Sequence, residues 1–167
     1  ESTDEEERLG YYEIVESNNE RLLQLINEIL DLSKIESGIV EFTITPVRLH
    51  PLCKEIHDAH IFRCPKGVEL IYEPSDENIV IDGDKNRIFQ VISNLIGNAF
   101  KFTTAGHISY GYHQEGKYVA FHVTDTGMGI APDKVDRVFE RFVKVNNFAQ
   151  GTGLGLSICK TIIERLG

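Results

Sequence analysis

Residues 10–36, GYYEIVESNNERLLQLINEILDLSKIE, contain no proline, and their only glycine stands first. Tyr11, Val15, Leu22, Leu25, Ile29 and Leu32 follow a heptad-like spacing, with Asn18 as the one polar break. Ile14, Leu23, Ile26 and Leu30 add a second apolar flank. The spacing therefore predicts a single long helix over 10–36 with more than one apolar side. Such a helix needs several neighbours, and the rest of the chain supplies few. A bundle completed by another subunit or a further partner helix is the simplest cover. The segment ESG at 36–38 stops the helix, with Gly38 as its C-terminal cap.

After Gly38 the pattern changes to short β-branched runs mixed with helices. VEFTIT at 40–45 alternates and reads as a strand closed by Pro46. Residues 48–63 read as largely helical, and Pro65-Lys66-Gly67 as a turn. VELIYE and NIVI are two short strands separated by PSDE. Asp84 is placed to cap a helix over 85–101. HISYGYH and YVAFHVTD flank QEGK as a hairpin. A short helix follows Pro132, and LSICKTIIERL closes the chain as an amphipathic helix. The fold class expected is α+β, a two-layer α/β sandwich: a mixed sheet with helices on one face, preceded by the long helix.

Composition narrows the partners. The chain has 167 residues, 41% hydrophobic and 26% charged, which is ordinary for a globular domain with a normal core. A net charge of −9 argues against a nucleic-acid groove. Part of that charge lies in the opening ESTDEEE, expected to be a solvated, fraying terminus. Cys53, Cys64 and Cys159 show neither metal-ligand nor redox spacing, so reduced thiols in a cytoplasmic domain are expected. No signal peptide and no apolar run of membrane-spanning length is visible, so no direct membrane contact is expected here. A membrane-anchored parent stays compatible with this.

Four clusters carry chemistry. Asn94, Asn98 and Lys101 share one face of the 85–101 helix. Amide oxygens are hard ligands that suit Mg²⁺, and a lysine beside them neutralises phosphate; a plain polar face would read the same way. In VTDTGMGI an acid, Asp125, ends an apolar strand and precedes Gly127 and Gly129. A carboxylate at a pocket floor accepts from an exocyclic amine, which favours adenine over guanine. A strand-end turn explains the same residues. Phe139, Phe142 and Phe148 are interspersed with Arg137, Arg141 and Lys144. They fit a mobile flap whose cations meet phosphate, or a helix and loop with core phenylalanines. Last comes AQGTGLGLSI, whose three alternate glycines, Gly151, Gly153 and Gly155, match neither the Walker loop nor the dinucleotide loop.

The order of these clusters resembles the histidine kinase catalytic domain. NLIGNAFKFT is similar to the family's N box, DTGMGI to its first glycine box, FERF to its F box and GTGLGL to its second glycine box. The stretch YYEIVESNNERLLQLINEILDLSKIESG resembles the second helix of the family's dimerisation domain, so the likeness covers roughly residues 11–167. It implies the Bergerat ATP-binding sandwich with the flap as ATP lid. Residues 1–37 would be the second dimerisation helix and 38–167 the ATP-binding catalytic domain. By the same resemblance Asn98, with Asn94 beside it, would hold Mg²⁺, and Lys101 would touch phosphate. Phe102 would lie near the adenine, and Asp125 would accept from its amine. Gly127 and Gly129 would shape the wall. Gly151, Thr152, Gly153, Leu154 and Gly155 would line the triphosphate at a helix N-terminus, and Arg141 and Lys144 would reach it from the lid.

The implied function is transfer of the ATP γ-phosphate to a histidine on a dimerisation helix, for relay to an aspartate of a response regulator receiver domain. A homodimer through 11–36 is implied too. None of His50, His57, His60, His107, His113 and His122 has the acceptor's setting, so packing or surface roles are expected and no catalytic residue is assigned within the chain. The fragment alone is expected not to phosphorylate itself. Family members usually continue into two more strands, so a short sheet with an open edge and an under-covered last helix is expected. ATP hydrolases of the same sandwich, such as DNA gyrase and the mismatch-repair enzymes, place a glutamate base four residues before the metal-binding asparagine. Here that position is Asn94, which takes no proton. A non-catalytic docking and dimerisation module is the other alternative. A dinucleotide-binding enzyme is a distant third, because no strand–glycine–helix unit with a downstream acid is present.

Overall fold

The computed structural model describes residues 2–144 and 151–167. Helix α1 runs over Ser2–Glu36, longer than the apolar pattern alone predicts. Residues 2–7 of the acidic opening are helical, and residues 5–7 are exposed to solvent. Glutamate is a good helix former, and negative charge suits a helix N-terminus.

Strand β1 spans Thr45–Arg48 and pairs antiparallel with β3, Val80–Gly83. This corrects the strand expected over 40–45. Residues 40–44 have no regular structure, and Pro46 lies inside the strand rather than ending it. A two-stranded ribbon leaves edge positions where proline's missing N–H does no harm. The unpaired stretch instead crosses the start of helix α3 (Lys85–Phe102): the Thr43 N–H donates to Asp84, and Phe42 lies under the Arg87 and Arg165 guanidiniums.

Helix α2, Leu49–His60, continues into a 3-10 turn over Ile61–Arg63. Strands β2 (Val68–Glu73), β4 (Gly106–Glu115) and β5 (Tyr118–Asp125) form a mixed three-stranded sheet in the order β2-β4-β5. The β2–β4 pair is parallel and the β4–β5 hairpin antiparallel, with Leu70 opposite Ile108 and Tyr110 opposite Val123. β2 and β5 are the edges of this sheet among the described residues. A four-residue helix, α4, covers Pro132–Val135, and α5 covers Gly155–Leu166.

Helix α3, Lys85–Phe102, organises the body. Asp84 caps it as expected: one carboxylate oxygen accepts from the N–H groups of Asn86 and Arg87 at 3.0 and 3.1 Å. Ile88, Ile92, Ile96 and Ala99 recur at helical spacing and bury against the sheet and α2, where Leu52, Ile56, Leu70, Ile108 and Tyr110 meet them. A second cluster joins Val91 to Leu154, Ile158 and Ile162 and to Leu32 and Ile35 of α1. This corrects the expectation that the last helix is under-covered: Ile158 and Ile162 are 2% and 0% exposed. Only the C-terminal end of α1 gains this cover. Leu25 is half-buried against the same cluster, and the other large apolar side chains from Leu9 to Leu30 stay exposed. No helix among the described residues is long and apolar enough to cross a membrane.

Candidate nucleotide-binding site

A cavity of about 720 Å³ opens beside α3. The helical period sets this arrangement. With positions 88, 92, 96 and 99 on the sheet and 91 on α5, Asn94, Asn98 and Lys101 are left facing the cavity. Phe102 joins the wall where α3 ends. Asn94 also contacts the thiol of Cys159 on α5. Burial pushes that thiol up to about 11, while the Asn94 contact acts in the opposite direction.

The turn after β5 is stitched to the end of α3. The Gly127 N–H donates to Asp125 Oδ1 at 2.8 Å, and the Met128 N–H donates to the Phe102 carbonyl at 3.2 Å. A Cβ at Gly127 would sit 2.3 Å from that carbonyl oxygen, so only glycine permits the approach. Asp125 and Gly129 line the cavity; Gly127 lies behind them as backbone support. A carboxylate accepts at both oxygens, so the Gly127 bond does not exhaust Asp125.

Gly151, Thr152, Gly153 and Gly155 form another wall, with Lys144 beside them. A Cβ at Gly151 would lie 3.3 Å from the Lys101 ammonium, so the cation of α3 and the glycine loop meet. The loop is clamped to the FERF segment: the Phe142 N–H donates to the Gly153 carbonyl at 2.9 Å. Besides Gly127, two expected site residues lie outside the cavity lining. Leu154 is 1% exposed and belongs to the core beside α1, because the helix start needs an apolar anchor there. Arg141 pairs with Glu36 of α1. Phe139 and Phe142 are exposed rather than core, while Val138 just before them is buried. Phe148 lies outside the described residues.

The cavity also has walls that the motifs did not indicate. Gln24 and Glu28 of α1 line it, as do His60 and Arg63 from the end of α2. His60 is a packing residue: it is 8% exposed, bonds Ser93 Oγ through Nε2 at 2.9 Å and stacks near Phe89. Burial, with a smaller contribution from Arg63, lowers its pKa. Gln24 and Glu28 stand four apart on one helical face, a spacing that links them to each other but not to a loop far along the chain.

The donor set fits a nucleotide better than a bare metal. No group of three His, Cys, Asp or Glu side chains among the described residues is arranged to hold a metal ion. Two neutral amides, a lysine and a glycine loop suit an ion that brings phosphate oxygens and water with it.

Comparison with known proteins agrees with this geometry. The family model described as "Histidine kinase-, DNA gyrase B-, and HSP90-like ATPase" matches residues 83–167. The chain belongs to this family, and its relatives place it among the histidine kinase catalytic domains. It is 34% identical over 177 aligned positions to the autoinducer 2 sensor kinase/phosphatase LuxQ of Vibrio harveyi, covering 99% of this chain and 21% of that protein. It is 39% identical over 155 positions to the sensor histidine kinase RcsC of Escherichia coli K12, covering 87% of this chain and 16% of that one. Full-length ShkA in complex with AMPPNP superposes with a TM-score of 0.80 at 32% identity, over 93% of this chain and 33% of ShkA. The histidine kinase ThkA in complex with the response regulator protein TrrA gives 0.75 at 28% identity, over 93% of this chain and 44% of that one. The chain thus spans about a fifth or less of these two curated relatives.

Proposed function

We propose that this chain is the ATP-binding catalytic part of a two-component sensor kinase. In this reading ATP binds with Mg²⁺ over α3, and its γ-phosphate passes to a histidine on a separate dimerisation helix. One observation carries the reading: Lys101 meets Gly151 on the wall of the same cavity that Asp125 lines. A cation and a glycine loop together answer to phosphate, and the carboxylate answers to the adenine amine. Asn94 and Asn98 would share Mg²⁺ with the phosphates, and the ion would neutralise charge on the transferred group. Lys144 would meet phosphate from the lid, and Phe102 would pack near the base.

Asn94 favours transfer to a protein over hydrolysis, since a neutral amide takes no proton from an attacking water. Residues 1–37 would be the second helix of the dimerisation domain, and 38–167 the catalytic domain. The open apolar flanks of α1 support a homodimer through 11–36. Large apolar side chains from Tyr11 at 67% to Ile29 at 43% exposed call for such cover. The ThkA–TrrA complex supports a response regulator receiver domain as the downstream partner.

Calorimetry with AMPPNP and Mg²⁺ tests the ATP site. Saturable binding is expected, lost in Asp125→Asn and Asn98→Ala while both variants keep the wild-type melting curve. Binding that survives both substitutions overturns the site assignment. No binding by the wild type favours the docking module.

A further inference from the structure

Two side chains that the family resemblance assigns to phosphate, Thr152 on the cavity wall and Arg141 outside its lining, are bonded to carboxylates of α1. The Thr152 hydroxyl donates to Glu28, and the Arg141 guanidinium pairs with Glu36. Both acids belong to α1, two turns apart, and Glu28 itself lines the cavity. Resting on the ATP-site reading, we infer that these two carboxylates stand in for phosphate oxygens, so that α1 and the triphosphate of ATP compete for Thr152 and Arg141.

At Thr152 the chemistry makes the two occupants exclusive. A hydroxyl has one proton to donate, so Thr152 serves Glu28 or a phosphate oxygen, not both. Its oxygen is committed too, accepting from the Leu154 N–H at 3.3 Å. Glu28 is half-buried, and Gln24 Nε2 donates to its other oxygen at 2.8 Å, which aims the carboxylate at the loop. A carboxylate held in a partly desolvated cavity also repels an incoming polyphosphate.

α1 cannot withdraw these acids one at a time. Leu32 and Ile35 are buried against α5, and Asp31 accepts from Arg87 and from Gln90, the latter at 2.9 Å. Arg165 holds the Ile35 carbonyl as well. Glu28 and Glu36 flank this anchored stretch. Nucleotide binding and the docking of α1 are therefore linked, and by reciprocity each weakens the other by the same factor.

The test compares wild type with Glu28→Gln, Glu36→Gln and the double variant, titrated by calorimetry with Mg²⁺–AMPPNP and separately with AMP. Glutamine keeps the shape and removes the charge. The double variant is expected to bind AMPPNP about tenfold tighter, the sum of two modest charge-assisted contacts. AMP, which lacks the outer phosphates, should change less than about twofold on the same reasoning. As a second readout, AMPPNP should raise amide hydrogen exchange in residues 25–36 of the wild type. Unchanged or weaker AMPPNP binding, or equal tightening for AMP, overturns the inference while leaving the ATP site intact. Failure of every protein to bind either nucleotide overturns the ATP-site reading itself, and this inference with it.

Discussion

Replacing Asp84 with alanine removes one carboxylate that serves three backbone N–H groups. Oδ1 accepts from Asn86 and Arg87, and Oδ2 accepts from Thr43 at 2.9 Å. The residue is 8% exposed, so water does not readily replace it. Loss of an N-cap costs about 1 kcal/mol, with an upper range near 2. The Thr43 bond adds about 1 kcal/mol, and more if its N–H is left buried without a partner. Asp84→Ala should therefore destabilise the body by about 2 kcal/mol, rising to about 3 at the upper end of the cap range. Asp84→Asn should cost roughly half as much, because its single carbonyl oxygen keeps the cap while its amide nitrogen faces the Thr43 donor. Urea denaturation followed by tyrosine emission reads this directly. Tyr110 and Tyr112 are 1% exposed in the core, and the chain contains no tryptophan to mask them. The midpoint should fall with an unchanged slope. A cost below about 1 kcal/mol for alanine, or an asparagine variant as unstable as the alanine one, would refute the three-bond account.

Two further perturbations separate local causes. Gly153→Ala should weaken both stability and AMPPNP binding, because φ is +77° and the new Cβ would lie 2.9 Å from the Phe142 Cα. Gly155→Ala is the control: nothing lies within 4 Å of its Cβ, and it stands at the start of α5, so its melting temperature should hold or rise. The thiols predict an alkaline limit. Burial raises Cys159 from 9.0 to about 11 and Cys53 from 9.0 to about 12. Above pH 9 the unfolded chain loses these protons while the folded chain keeps them. Stability present below that pH should fall as pH climbs through the window from about 9 to about 12. Urea midpoints across the window check this, and Cys53→Ala with Cys159→Ala should lessen the decline without abolishing it, because burial also raises Tyr72, Tyr110 and Tyr112. A midpoint as steep in that double variant as in the wild type would assign the alkaline loss to other groups.

Periodicity made much of the fold legible. In α3 the same period that set Ile88, Ile92 and Ile96 on the sheet also set Asn94 and Asn98 on the opposite side, so one pattern announced both core and site. Asp84 was legible for a different reason: an acid before a polar helix start has few better uses. The strand beginning at Thr45 was not, because alternation in VEFTIT outweighed the unpaired edge that lets Pro46 enter a strand. Leu154 and Arg141 share a second cause. Each sits inside a phosphate-seeking motif, yet each is claimed by α1, through burial beside Leu32 in one case and the Glu36 ion pair in the other. Motif spacing records which residues are near in sequence. It holds no information about which helix packs on them.

That last point bears on how α1 divides its work. Its last turns are committed to the body, with Leu32 and Ile35 at 4% and 0% exposed. The residues before them keep their apolar flanks open, Leu22, Leu23 and Leu30 among them. A proposed dimer through 11–36 therefore has less of the helix to use than its length suggests, and the docked end at Leu32 and Ile35 marks the limit. Glu28 lies at that boundary, bonded to Thr152 on one side and one turn away from Leu32 on the other. Glu28 and Leu32 stand four apart on one helical face, so any turn of α1 about its axis shifts the Thr152 bond and the buried anchor together.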